Sequence, residues 1–262
     1  MIRISFSGGK DSAAMLLEMI ERGYEIDSID FADPLFEFSE LYTYLDTIDE
    51  HIGEVGYKIN RIEPEDGLWD KWFYGKTGGK GKNAGKVRGM PLRLFPCWWT
   101  REAKVKPLAK ICNKGDTMSV GIAYDEKERM SSVDGNLTYP LVEWGWTEGK
   151  CAEYLNEKGL FNPLYVNFDR LGCYHCPKQS LKSLWVQWKM YPELWDKSLY
   201  WDNESMNVAG HGIKEEELTD IQKKFETGWK PKHIPKYDCW NGCDSVKNAF
   251  KQKQHGLGYF CE

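Results

Sequence analysis

The stretch Ile2-Arg3-Ile4-Ser5-Phe6-Ser7-Gly8-Gly9-Lys10-Asp11-Ser12-Ala13-Ala14-Met15-Leu16-Leu17 decides how the chain reads. Ile2 to Phe6 is a short apolar-rich run that ends at Ser7-Gly8-Gly9. From Ser12 to Arg22, Ala13, Leu16, Leu17 and Ile20 then recur at helical spacing until Gly23 stops them. The pattern is strand, tight loop, helix. At such a junction backbone N–H groups and the positive end of the helix dipole point at whatever occupies the turn, which makes the loop an anion cradle. The two glycines let the backbone approach a phosphate closely, Lys10 supplies charge, and Ser7 and Ser12 supply hydroxyl donors. Asp11 is the odd member. A carboxylate beside a phosphate is repulsive unless it caps the helix, binds a cation such as Mg²⁺ or orients the loop.

Outward from this loop the βα alternation continues. Ile26 to Phe31 alternates as a second strand, Leu41, Tyr44, Leu45, Ile48 and Ile52 form the stripe of a second helix, and Tyr57 to Ile62 reads as a third strand. Thr100 to Cys112 is helical around Pro107, and Thr117 to Ala123 is a further strand with Gly121 near its end. Alternating units of this kind predict an α/β fold, a doubly wound, mostly parallel sheet with helices on both faces. Its ligand site lies beyond the carboxyl ends of the strands, where the loops after Phe6, Phe31 and Gly121 share one edge. From about Asn162 the composition shifts to Trp, Tyr, Pro, Cys and Lys, with helical pieces at Ser180 to Met190 and Glu215 to Glu226. The expected division is a nucleotide-binding domain over 1–165 and a small Cys-containing, helix-rich, metal-binding module over 166–262.

Composition excludes several classes. The 262 residues carry 35 Lys plus Arg against 40 Asp plus Glu, a net charge of -5, with 41% apolar residues, which is the profile of an ordinary globular chain. No apolar run approaches the roughly 20 residues needed to span a bilayer. The start of the chain leaves no room for a secretory leader, so the expectation is a cytoplasmic protein without a membrane partner. The mildly acidic total confines any nucleic-acid contact to a local patch such as Gly75 to Arg88, where five Gly mix with Lys76, Lys80, Lys82, Lys86 and Arg88. That stretch reads more readily as a solvated flexible loop, and Gly75 to Lys82 lacks the spacing of a Walker A phosphate loop.

Ser7-Gly8-Gly9-Lys10-Asp11-Ser12 resembles the PP-loop signature of the ATP pyrophosphatase (adenine nucleotide α-hydrolase) superfamily, whose members cleave ATP between the α and β phosphates. Thr100-Arg101-Glu102-Ala103-Lys104-Val105-Lys106-Pro107-Leu108 is similar to the Thr-x-x-x-Lys-x-x-Pro-Leu segment of the phosphoadenosine phosphosulfate (PAPS) reductase-like branch. Gly121-Ile122-Ala123-Tyr124-Asp125-Glu126-Lys127-Glu128-Arg129 follows that branch's Gly-Ile-Arg-x-x-Glu-x-x-Arg, with Ala123 in place of its first Arg. Tyr139-Pro140-Leu141, Trp146-Thr147-Glu148 and Asn162-Pro163-Leu164-Tyr165 resemble the stretch that leads to its cysteine pair, so the likeness spans roughly residues 1 to 178. The resemblance implies an adenine nucleotide, ATP with Mg²⁺, on Ser7, Gly8, Gly9, Lys10, Asp11, Ser12, Asp33 and Gly121. It also implies a catalytic set of Lys10, Asp11, Lys104 and Arg129, the last two placing positive charge where it builds up on phosphate oxygens.

The eight cysteines in a chain of this kind read as ligands, catalytic thiols or buried small hydrophobes rather than as a disulfide framework. Cys173-Tyr174-His175-Cys176 is a CxxC knuckle open to redox chemistry, structural burial or metal binding. Spacing alone permits a Zn²⁺ set of Cys173, Cys176, Cys239 and Cys243. The family resemblance points instead to a 4Fe-4S cluster on Cys97, Cys173 and Cys176, with the fourth iron open to sulfide or closed by Cys239 or Cys243. Cys97 stands two positions before the branch's usual cysteine, whose place Trp99 takes. Cys112 and Cys151 are expected as buried hydrophobes, and Cys261 as a candidate tail nucleophile like that of sulfonucleotide reductases. The expected activity is ATP-dependent adenylation of an acceptor with pyrophosphate release, followed by sulfur transfer from a donor protein or sulfide, the acceptor being a nucleic acid or a small molecule. The alternatives are a PAPS or adenosine phosphosulfate reductase, and a nucleotide-binding accessory protein with structural Zn²⁺.

Overall fold

The computed structural model describes residues 1–67, 97–130, 136–204 and 217–232, together with positions 74–76, 80, 84, 85, 87 and 89. Five parallel strands, β1 (Ile2–Ser5), β2 (Ser28–Ala32), β3 (Ile59–Ile62), β4 (Thr117–Val120) and β5 (Leu137–Thr138), form one sheet in the order β3-β2-β1-β4-β5. The chain steps outward from β1 to β3 and then returns to the other side of β1. Right-handed crossovers therefore lay helices on both faces, and a topological switch point opens between β1 and β4. The expected doubly wound α/β class is the observed one.

Helix α1 (Lys10–Glu21) follows β1, with Ala13, Ala14, Met15, Leu16, Leu17 and Met19 all buried between the sheet and α6 (Glu148–Glu157). Helix α2 (Ser39–Gly53) buries the stripe Leu41, Tyr44, Leu45, Ile48 and Ile52 read from its periodicity. Each such side chain contributes about 1.5–3 kcal/mol on leaving water, so these stripes hold the helices to the sheet. The stretch expected as one helix over Thr100 to Cys112 comes in three parts: α3 (Trp98–Thr100), a wide π turn (Arg101–Val105) and α4 (Lys106–Ile111). Pro107 has no N–H to donate, and in a regular helix its ring would press on the carbonyl four residues back. The wide turn relieves both problems. Cys112 therefore caps α4 in extended conformation, half-buried rather than inside a helix, whereas Cys151 on α6 is fully buried as expected.

Beyond the sheet, a short helix α5 (Pro140–Glu143) leads to α6, and Phe168, Tyr174 and Val186 still belong to the main core. Helices α7 (Leu181–Met190), α8 (Pro192–Glu204) and α9 (Leu218–Glu226) enclose a second small core of Leu184, Trp195, Leu218, Ile221 and Phe225. Cys239, Cys243 and Cys261, and Lys82, Lys86 and Arg88 of the Gly-rich stretch, lie outside the described residues. Among the described residues no helix is long and apolar enough to cross a membrane.

Candidate functional site

The loop between β1 and α1 is held from several directions. Gly8 sits at φ 72°, a conformation that favours glycine, and Gly9 caps α1 without a side-chain bond. The Ser7 and Ser12 hydroxyls lie 2.9 Å apart, and Ser12 Oγ also donates to the Gly9 carbonyl at 3.0 Å and accepts from the Ser7 N–H at 3.2 Å. From far along the chain, Asn162 Nδ2 donates to the Gly8 carbonyl at 2.9 Å, and Tyr165 Oη accepts from the Lys10 N–H at 3.1 Å. Gly121 explains itself sterically. A Cβ there would lie 2.7 Å from Ser12 Cα and 2.8 Å from Ser12 N, so only glycine lets the segment after β4 pass this close to the loop.

A cleft of about 460 Å³ opens over this loop, and Lys104, Glu37, Arg129, Glu126 and Glu148 line it. Lys10 lines it but is only 2% exposed. Its Nζ donates to both oxygens of Asp11, at 3.0 and 2.9 Å, and to Glu148 Oε1 at 2.8 Å. Burial pulls the Lys10 pKa down, but the Asp11 carboxylate, Tyr165 and the Glu148 hydrogen bond outweigh it and hold the ammonium above the ordinary lysine range. Asp11 is shifted up, burial outweighing the neighbouring Lys10. Asp11, Glu126 and Glu148 bring one carboxylate oxygen each within 4.8 Å of one another, a set of hard oxygen ligands suited to a divalent cation. Arg129 pairs with Glu126 at the rim.

Asp33, expected beside the nucleotide, closes a turn. Its Oδ1 accepts from the Leu35 N–H at 2.7 Å and from the Tyr42 hydroxyl at 2.9 Å, and it does not line the cleft. Ala123, where the family pattern carries Arg, is fully buried. Glu37, Glu148, Asn162 and Tyr165 were not expected as site residues. For the last two the signal was the Asn162-Pro163-Leu164-Tyr165 segment, which turns out to brace the loop.

Across Lys104 lie the thiols. Lys104 Nζ donates to Glu37 Oε1 at 3.0 Å, and burial of the ammonium is outweighed by Glu37 and Cys173, so its pKa rises. Cys97 caps α3, its Sγ accepting from the Thr100 N–H at 3.4 Å. The knuckle turns through a bond from the Cys176 N–H to the Cys173 carbonyl at 3.0 Å, and the Tyr174 N–H ties it to the Phe36 carbonyl at 2.8 Å. Burial pushes the Cys173 thiol well up, Glu37 adds to this, and Lys104 pulls it back. Cys176 is raised chiefly by burial as well. Cys97 acts on both, so the three thiols lie within electrostatic reach of one another. Among the described residues they are not a set closed within 4.8 Å, whereas a tetrahedral Zn²⁺ with bonds of about 2.3 Å draws its sulfurs to about 3.8 Å. Three soft thiols are ligands of the kind that an iron-sulfur group or Zn²⁺ takes. Trp99, in place of the family's usual cysteine, is buried and donates Nε1–H to the Pro34 carbonyl at 2.9 Å.

Two uncharacterized proteins of Methanocaldococcus jannaschii are similar to the chain. One is 29% identical over 219 residues, covering 77% of the chain and 41% of the relative. The other is 25% identical over 214 residues, covering 75% and 46%. The chain thus spans less than half the length of the curated relatives it matches. A crystal structure of phosphoadenylyl-sulfate (PAPS) reductase from Candida auris, a phosphate complex, aligns with TM-score 0.44 at 14% identity, over 66% of this chain and 82% of that one. Residues 1–179 match the model of the phosphoadenosine phosphosulfate reductase domain. With more than half its length inside that match, the chain belongs to the phosphoadenosine phosphosulfate reductase domain family.

Proposed function

We propose that the protein binds Mg·ATP over the Ser7 to Ser12 loop, adenylates an acceptor with release of pyrophosphate, and supports transfer of sulfur to the activated position. The observation that carries this reading is the loop itself. Ser7, Gly8, Gly9, Lys10, Asp11 and Ser12 are all present, braced by Asn162 and Tyr165 at the switch point of a parallel sheet, where phosphates are bound. Asp11, Glu126 and Glu148 would hold Mg²⁺, and Lys104 and Arg129, which both line the cleft, would meet the charge of the polyphosphate. An acceptor oxygen attacks the α phosphorus, the bond to the bridging oxygen breaks, and pyrophosphate leaves with its charge met by these cations. Sulfide then forms the carbon–sulfur bond as the carbon–oxygen bond to the adenylyl group breaks and AMP departs; where the sulfur comes as a persulfide, a second thiol of the donor takes the resulting disulfide and releases the product.

Cys97, Cys173 and Cys176 would hold a 4Fe-4S cluster, which when bound supplies a soft site for sulfide or an electron relay. Lys104 links the two halves, since it lines the nucleotide cleft and offsets negative charge at Cys173. A second reading, reduction of a sulfonucleotide, is favoured by the same placement of Lys104 between cleft and thiols and by the family's description.

Equilibrium binding of Mg·ATP to anaerobically purified protein tests the proposal, with Lys10→Ala and Asp11→Asn expected to weaken it by about tenfold or more. Wild-type affinity in both variants overturns the loop assignment. Tight binding of adenosine phosphosulfate or PAPS with no binding of ATP overturns the adenylation in favour of the second reading.

A further inference from the structure

Lys10 stands in the loop where a phosphate contact is expected, yet its ammonium is committed elsewhere. Lys10 is the first residue of α1 and Glu148 the first residue of α6. The Lys10 Nζ spans the two helix starts, donating to Asp11 Oδ1 and Oδ2 at 3.0 and 2.9 Å and to Glu148 Oε1 at 2.8 Å. These bonds match the three N–H groups that an ammonium carries. The Tyr165 ring lies 5.5 Å from Nζ while its hydroxyl accepts from the Lys10 N–H, so one residue covers the side chain and holds its backbone.

Exposure runs in a definite order. The Lys10 side chain is 2% exposed, that of Asp11 16% and that of Glu148 24%. Solvent in the cleft therefore reaches the carboxylates more readily than the ammonium. The same carboxylates belong to the oxygen set of Asp11, Glu126 and Glu148. Lys10 bonds both oxygens of Asp11, so whichever of them serves a divalent cation is one that the ammonium already holds. Glu126, the third member, pairs instead with Arg129.

We propose that Lys10 is a positioning residue, the counter-ion of the cation site, and that it serves the nucleotide through Asp11 and Glu148 rather than by touching phosphate. The inference rests on the reading of Asp11, Glu126 and Glu148 as the holders of Mg²⁺. Two like charges at the α1 and α6 starts repel, and the ammonium between them keeps both facing the cleft. It also offsets part of their charge and repels a second cation nearby, so a divalent cation alone binds weakly. Phosphate oxygens restore the missing negative charge and supply further hard ligands. Cation and nucleotide thereby enter as one unit, because a bare polyphosphate would meet two carboxylates.

Titration of nucleotide-free protein with Mn²⁺, followed by electron paramagnetic resonance of the unbound ion, tests this. Lys10→Met is expected to bind Mn²⁺ about tenfold more tightly than wild type, and Glu148→Gln about tenfold more weakly. Lys104→Met removes a cation that lines the same cleft but is bonded to Glu37, and its gain should be much smaller. A second measurement reads contact directly. An adenosine polyphosphate ending in a pyridoxal aldehyde, fixed to lysine amines with borohydride and mapped by peptide mass spectrometry, should mark Lys104 and leave Lys10 unmodified. Unchanged or weaker Mn²⁺ binding in Lys10→Met, an equal gain in Lys104→Met, unchanged Mn²⁺ binding in Glu148→Gln, or labelling of Lys10 that ATP prevents overturns the proposal. Failure of the adenylation reading shows separately, as absent Mg·ATP binding, with the nucleotide-free Mn²⁺ results unaffected.

Discussion

The phosphate loop and the thiol knuckle meet across Glu37 and Lys104, yet they are built on opposite electrostatic plans. On the loop side charges are matched at hydrogen-bond distance: Lys10 with Asp11 and Glu148, Arg129 with Glu126. The backbone there is braced by Asn162 and Tyr165. On the thiol side burial favours the protonated form of Cys173 and Cys176, and at Cys173 Lys104 opposes this while Glu37 adds to it. The first site is shaped for its ligand in advance, so binding costs little reordering. The second becomes charged only when something arrives to take the protons' place.

The sharpest way to break this contrast is to remove sulfur. On the proposed cluster, Cys173→Ser and Cys176→Ser should each lose essentially all of the iron that anaerobically purified wild-type protein holds, while Cys151→Ser, fully buried on α6, keeps it. Iron and sulfide analysis on the same samples checks this, and full retention in the first two variants would dispose of the knuckle as a ligand pair. Next in size is Gly121→Ala. The added methyl meets the Ser12 backbone, which cannot swing aside, so the cost should be about 1–3 kcal/mol and show as a lowered Tm together with weaker Mg·ATP binding. An unchanged melting curve would mean that the loop yields, contrary to a preshaped site.

The smallest effect sharpens the comparison through pH. Because burial raises the Cys173 thiol above its ordinary range, the thiolate is scarce at pH 8, and alkylation should accelerate as pH climbs through the raised value. Lys104 favours the thiolate and Glu37 disfavours it. Lys104→Ala should therefore move the midpoint of the alkylation profile up, and Glu37→Gln should move it down. Peptide mass spectrometry of metal-free protein after timed iodoacetamide pulses gives the midpoints, and identical midpoints in all three proteins would remove the link between the sites.

Local pattern carried the fold where periodicity was long enough to be read. The α2 stripe from Leu41 to Ile52 and the β1 to α1 junction fell where the spacing put them. Strand β5, two residues long, is too short to show alternation, and it exists because β4 offers it an edge. Glu148 escaped for a different reason: its partner Lys10 is 138 residues away, and no window along the chain contains both. Asp33, which the family resemblance places near the nucleotide, also closes a local turn through Oδ1, since an Asp oxygen readily accepts the N–H two residues on. Cys97 is grouped with Cys173 and Cys176 by the family resemblance alone, because no local pattern joins a thiol before α3 to a knuckle beyond α6, and the structure brings the three within electrostatic reach.

The wide turn at Arg101–Val105 carries a consequence for how this chain tolerates change in length. A π turn holds one residue more than the α-helical turn it replaces while sweeping about the same angle. Deleting one residue there would therefore leave Cys97 and Trp99 facing as they do, and would press the Pro107 ring on the carbonyl four residues back. Adding one residue instead rotates everything before it by about 100° relative to α4, and Cys97 and Trp99 swing away from the knuckle while no thiol, charge or core side chain has been altered. In this segment the count of residues is itself a coordinate of the site, so a one-residue insertion between Trp98 and Pro107 should be more damaging than most substitutions within it.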